Sequence, residues 1–162
     1  MAGDRLVNSV NSELIYKGNT DMDHKITPPV HPDPWVNVLH GYVTRSVEAI
    51  KAGGLLVERS WLDPRDPRDA TIIFTHPASN VSAEKLALVW DEVSGWRSGV
   101  FESGEQGART VLSGTSYLGG DLLLDGRELA GRVLAGASEQ RHEHRSVADV
   151  RDGLDAALLE RH

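Results

Sequence analysis

The sequence predicts an α+β domain of two layers, an antiparallel sheet of four or five strands with an N-terminal packing helix and two C-terminal helices. Three observations carry this. An apolar stripe at helical spacing occupies residues 34–52, β-rich runs separated by short turns fill 55–112, and capping signals open two further helices beyond residue 124. No part of 55–112 is long enough to insert a helix between successive strands, as a parallel doubly wound sheet requires.

Residues 1–33 read as an arm or linker whose composition is compatible with partial disorder. Pro28, Pro29, Pro32 and Pro34 crowd together, and a residue before proline is pushed toward extended backbone. Upstream, Leu6, Val10 and Leu14 fit one stripe of a short helix, while 13–17 fit a strand equally well. Asp33 suits an N-cap, and Pro34 suits the first helical position, where a missing N–H costs nothing. Val36, Leu39, Val43, Val47 and Ile50 then form the stripe, and Gly53-Gly54 supplies a left-handed stop.

The first strand is expected over Leu55–Leu62, with Leu55, Val57 and Trp61 on one side. Asp-Pro-Arg-Asp-Pro-Arg-Asp, 63–69, reads as a loop of turn formers, and 70–75 as the returning strand. Residues 86–101 form a hairpin that turns at Glu92-Val93-Ser94-Gly95 and carries two of the chain's four tryptophans. Arg109–Leu112 completes the sheet. Asp125 and Glu128 have the spacing of a capping box ahead of Leu129, Val133 and Leu134. Ser146 and Asp149 open a last helix with the stripe Val147, Val150, Leu154 and Leu158, which can pack on its own sheet or on a second copy. The organisation is therefore an arm to residue 33, a domain over 34–137, and a charged, solvated linker with a terminal helix over 138–162.

Composition excludes several classes of function. The chain of 162 residues has no cysteine, hence no disulfide framework, thiol nucleophile or cysteine-type zinc site. A net charge of -7 disfavours nucleic acid and anionic membranes as partners. Neither a signal peptide nor a membrane-spanning run is visible, so a cytoplasmic setting is expected.

The candidate ligand-binding residues are Trp61, Trp90, Asp91, Trp96, Arg97 and Tyr117. In the hairpin, a two-residue or a four-residue turn puts Trp90 and Arg97 on one face and Trp96 on the other, whereas a three-residue connection flips that relation. Trp90 could stack on a ligand and Arg97 hold an anion; equally, the pair is cross-strand packing with an ion pair beside it. Arg59 shares the side of Trp61 and reads as an arginine that snorkels to water, or as an anion holder. His142-Glu143-His144 lacks the i, i+4 histidine pair of a zincin helix, so no metal site is expected. The glycine-rich stretches 103–107 and 116–120 match no phosphate-cradling pattern, and no nucleophile elbow is present. No catalytic residue and no cofactor is proposed at this level.

The run Val57–Thr71, the pair of segments Leu88–Glu92 and Gly95-Trp96-Arg97, and Tyr117–Gly120 together resemble a small uncharacterised domain family of actinomycetes, common in Streptomyces-like genomes. The resemblance covers about residues 40–135. It implies the domain boundaries and a cytoplasmic origin, and it lends no catalytic residues.

Two functions from different classes fit these readings. The first is a non-catalytic, protein- or peptide-binding module of adaptor, accessory or immunity type that forms a homodimer through a sheet edge or the last helix. The second is a small cofactor-free enzyme or small-molecule binder. It would use an aromatic-lined pocket between the sheet and helix 34–52, with Asp91 or Glu92 as general acid/base.

Overall fold

A computed structural model describes residues 26–64, 66–77, 84–146 and 152–161. The short helix expected around Leu6, Val10 and Leu14, and the start of the last helix at Val147 and Val150, lie outside them. The helical stripe at 34–52 forms two pieces, α1 (Pro34–Asn37) and α2 (His40–Ala52). Asp33 caps α1 by accepting from the Trp35 amide at 2.9 Å, and Gly54 leaves α2 with a left-handed φ of 95°.

Five strands follow, β1 (Leu56–Asp63), β2 (Asp69–Thr75), β3 (Leu86–Asp91), β4 (Gly95–Glu105) and β5 (Ala108–Tyr117). They form one antiparallel sheet in the order β1-β2-β3-β4-β5. The last strand is longer than expected, and the stretch 103–107 is strand as far as Glu105 rather than a loop. Helix α3 (Gly126–Leu134) starts where Asp125 accepts from the Glu128 amide at 2.8 Å. Helix α4 (Leu154–Leu159) starts directly after Gly153, whose left-handed φ of 85° interrupts any helix before it, so the last helix does not run unbroken from Ser146 as expected.

Two local departures from regular pairing decide which side chains face where. Between Val57 and Arg59 the register shifts, so Glu58 is an extra residue in β1. Leu55 and Val57 therefore face the helices while Trp61 faces away from them, correcting the expectation that all three share a side. At the hairpin, Asp91 pairs with Gly95, Trp90 with Trp96 and Val89 with Arg97. The connection is thus the three-residue turn Glu92-Val93-Ser94. It puts Trp90 and Trp96 on one face and Arg97 on the other, the reverse of the relation given by a two- or four-residue turn.

The helix face is the main core. Trp90 and Trp96 pack on Tyr42 of α2, with ring centroids 6.0 and 6.2 Å away. Their indoles are satisfied in place: Trp90 Nε1 donates to the Leu122 carbonyl at 2.9 Å, and Trp96 Nε1 donates to Tyr42 Oη at 3.0 Å. Tyr42 Oη donates onward to the Leu124 carbonyl at 2.7 Å. Burial pushes the Tyr42 hydroxyl up in pKa, so it stays a donor. The space between sheet and α2 is filled by these rings and by Val43, Val47, Ile50, Ile72 and Leu88. Leu154 and Leu158 of α4 join the same core, so the last helix packs on its own chain.

The opposite face holds a smaller core of Trp61, Ile73 and Ala87, covered by Phe101 and Leu112. The far half of the β4–β5 hairpin curls across this face. Phe101 of β4 meets Trp61 of β1 at 6.4 Å, and the hydroxyls of Thr71 in β2 and Thr110 in β5 lie 2.7 Å apart. Gly99 permits the curl, because a Cβ there would lie 3.0 Å from the Leu112 side chain and the Ser113 carbonyl.

Tyr42→Phe keeps the ring but removes the relay between Trp96 and Leu124. The expected loss is about 1–3 kcal/mol, the usual penalty for orphaned buried polar groups, read as a lower urea midpoint at unchanged slope.

Candidate functional site

Register places the polar residues of the outer face in rows across the sheet. Trp61, Thr71, Val89, Arg97 and Tyr117 lie directly opposite one another over all five strands. One step nearer the turn, Asp63, Asp69 and Asp91 form a second row over β1, β2 and β3. Four of the six expected site residues, Trp61, Asp91, Arg97 and Tyr117, therefore share the outer face. Trp90 and Trp96 are side by side on the helix face, 0% and 2% exposed. Arg59 is exposed with its guanidinium 5.0 Å over the Trp61 ring, as a snorkelling arginine would be.

The aspartate row is an unusual arrangement, since like charges directly opposite on neighbouring strands repel. Asp63, Asp69 and Asp91 are 1%, 4% and 8% exposed. Asp91 is anchored on several sides: its Oδ1 accepts from the Val93 and Ser94 amides at 2.9 and 2.7 Å, and its Oδ2 from Arg97 at 2.7 Å. Asp69 lies between the two other carboxylates. Burial, then the charge of Asp63, push its pKa up to about 7 against the opposing pull of Arg97 and Arg109.

Beside this row is a buried charge clasp. Glu92 Oε2 accepts from the Arg68 amide at 2.7 Å and from Arg68 Nε at 2.9 Å, and Oε1 accepts from Arg68 Nη2 at 3.1 Å and from Arg145. Arg68 also donates to Asp155 of α4 at 2.7 Å and to the Trp35 carbonyl at 2.9 Å, with its guanidinium 4.8 Å over the Trp35 ring. Arg145 completes the clasp by pairing with Asp152. Burial alone would raise Glu92, but the bonds from Arg68 and Arg145 outweigh it and hold the carboxyl below its usual range. Glu92 is thus a permanently charged tie between segments and a poor proton carrier.

Arg145 belongs to an extended strap, residues 138–146, which crosses the turn end of the sheet. The Glu139 amide donates to the Tyr117 carbonyl at 2.7 Å, and the His144 amide donates to Val93 of the β3–β4 turn at 2.8 Å. The solvated run expected at 139–145 holds for 139–143, which are exposed, and fails at its end, where the Arg145 side chain is only 7% exposed. Alternation along the strap separates its side chains. Ser138, Gln140, His142 and His144, with Glu139, border an open groove of about 970 Å³ over Gly119, Gly120 and Asp121. Arg141, Glu143 and Arg145 border a second groove of about 490 Å³ with Pro67 and Val93. Gly119 is obligatory here: its φ is +75°, and a Cβ would overlap the Glu139 carboxylate, which pairs with Arg132 at 2.9 Å. The rings of His142 and His144 stack edge to face at 4.6 Å; burial, then His142, lower the pKa of His144. No group of three or more metal-ligating side chains occurs among the described residues.

Asp63, Arg68, Asp69 and Arg145 escaped the reading of the sequence as site residues. A signal existed for two of them, the aspartates. The seven residues 63–69 begin and end on aspartate, so any hairpin closing that loop sets Asp63 against Asp69. Arg145 had none, because a charged run gives no hint of which member turns inward.

The model of a family of unknown function, DUF6292, matches residues 42–135, more than half of the chain and close to the stretch covered by the resemblance noted above. No curated protein and no solved structure matches.

Glu92→Ala leaves two guanidinium groups in the clasp without their carboxylate. It is expected to cost about 3–5 kcal/mol in chemical denaturation, while the joint change Arg68→Met, Glu92→Leu and Arg145→Met, which leaves no buried guanidinium behind, costs much less. Asp69→Asn tests the row. A raised carboxyl stabilises the fold fully below its unfolded pKa and loses that contribution as pH climbs through about 7. Asp69→Asn should therefore equal the parent near pH 4 and exceed it at pH 8 by roughly 2 kcal/mol, a discounted share of about 1.4 kcal/mol per pKa unit. Urea midpoints at the two pH values read the difference.

Proposed function

For this chain, which belongs to the DUF6292 family of unknown function, we propose a non-catalytic role: recognition of an extended segment of a partner protein along the strap. The observation that carries the reading is the contrast between hairpin tryptophans buried in the core and an open strap. Both tryptophans of the hairpin are spent on the core, whereas residues 138–146 stand as a ridge between two grooves of about 970 and 490 Å³. An extended chain laid beside an extended ridge uses strand-type main-chain bonding for affinity and alternate side chains for specificity.

Charge narrows the partner. The larger groove is bordered by Asp121, Glu139, Gln140, Ser138 and the two imidazoles, with neither lysine nor arginine among its lining residues. A segment bearing lysine or arginine complements it, as does the chain's net charge of -7. The floor of this groove, 119–121, lies inside the stretch matched by the family model and the strap lies outside it. Homodimer formation belongs to the same proposal, now through a sheet edge, since α4 uses Leu154 and Leu158 internally. So do a cytoplasmic setting, supported by the absence of cysteine, and an actinomycete origin, supported by the excess of arginine over lysine. No helix among the described residues is long and apolar enough to cross a membrane.

A second reading, a small cofactor-free acid–base enzyme, is favoured by one observation. Asp69, with a pKa near 7 beside the Asp91–Arg97 pair, has the proton affinity that the role assigned from sequence to Asp91 or Glu92 demands.

Selection from a random peptide library on the immobilised full chain separates the readings. Basic, extended peptides should emerge, and Asp121→Lys should weaken them at least tenfold, about 1.4 kcal/mol. Peptides of no common charge, or binding indifferent to Asp121→Lys, would remove the recognition reading.

A further inference from the structure

We propose that the aspartate row is a proton-operated latch on the strap: release of the proton held by Asp69 loosens the β3–β4 turn and with it the anchorage of His144 and Arg145. The inference rests on the reading of the strap as the recognition element and supplies its regulation.

The geometry begins with register. Asp63, Asp69 and Asp91 are direct partners on three adjacent strands, so their Cα atoms are about 4.5–5.5 Å apart and their side chains share one face. Among the described residues, charged groups act on Asp69 from four other strands: Asp63 from β1, Asp91 from β3, Arg97 from β4 and Arg109 from β5. The hydroxyls of Thr71 and Thr110 close the row on the side of the smaller core. Arg97 is committed to Asp91 at 2.7 Å, and Arg109 is exposed, where water weakens its pull. Burial and the neighbouring Asp63 keep a proton on the central carboxyl up to about pH 7.

Asp91 transmits the change. Its Oδ1 holds the amides of Val93 and Ser94, and its Oδ2 holds Arg97. When Asp69 releases its proton to solvent, the new carboxylate repels Asp91 and competes for Arg97. The turn that Asp91 shapes is the same turn that grips the strap, through Val93 with the His144 amide and through Glu92 with Arg145. From the strap, Arg141 and His144 also lie within electrostatic reach of Asp91. His144, lowered by burial and by His142, changes charge on the acid side of its usual range, so its titration falls below the transition of the latch.

Amide hydrogen exchange on the full chain tests this, read at His144 and Arg145 between about pH 6 and about pH 8.5, with each rate divided by its intrinsic value. Protection should fall several-fold as pH rises through about 7, the value that burial and Asp63 set for Asp69. In Asp69→Asn the protection should stay flat. Asp63→Asn removes the neighbouring charge and should move the midpoint to lower pH, which keeps the test decisive if Asp69→Asn does not fold. Parent protection that is constant over the range, or that falls equally in Asp69→Asn, overturns the latch, as does an unmoved midpoint in Asp63→Asn. Because the readout is the strap itself, a flat result removes the latch and leaves peptide recognition standing. Failed peptide selection with a sloping exchange profile removes only the recognition reading.

Discussion

Glu92 sits where four separate segments of the chain meet. Arg68 comes from the β1–β2 loop, Arg145 from the strap, Asp155 from α4 and the Trp35 carbonyl from α1, and all converge on the two guanidinium groups that Glu92 holds. The carboxylate itself is in the β3–β4 turn, at the end of the central hairpin. Taking such groups out of water is costly, and it is tolerated because each carboxylate oxygen of Glu92 and each guanidinium nitrogen of Arg68 and Arg145 finds a partner. The strap therefore has its place because this clasp closes, and both grooves owe their walls to it. A hydrophobic contact in that position would pack as well but would not dictate which loop faces which.

The sheet above the clasp divides its labour by face. Toward the helices it is aromatic and satisfied: every indole and phenol hydrogen at the centre of the hairpin ends on a carbonyl of the 118–124 loop, directly or through Tyr42. Toward the curled β4–β5 hairpin it grades from apolar at Trp61 and Phe101 to ionic at the aspartate row within two residue steps along a strand. Trp61 Nε1, buried without a hydrogen-bond partner, marks that boundary.

The fold was largely legible from the residues, the candidate site much less so. Helical spacing at 34–52, alternation in the strands and the Asp125 cap are local signals, and each produced its element. Facing was harder, because a single inserted residue reverses it. The bulge at Glu58 and the three-residue turn at 92–94 each moved a tryptophan to the other side of what regular pairing implies. Ionic partners were hardest of all. Arg68 and Asp155 are 87 positions apart, and Glu92 and Arg145 are 53 apart, so only the closed chain brings them together.

The 118–124 loop has no regular secondary structure beyond turns, yet three of its carbonyls are taken by side chains from three different elements. Leu118 accepts from Arg132 of α3, Leu122 from Trp90 of β3 and Leu124 from Tyr42 of α2. It is a fixed-length spacer, and a residue added there would take a carbonyl away from a buried donor. The tip of the β4–β5 hairpin at Gln106 and Gly107 is its opposite, exposed on both residues and remote from the clasp. Evolutionary drift in length, or an engineered fusion, has room at that tip and almost none in the spacer.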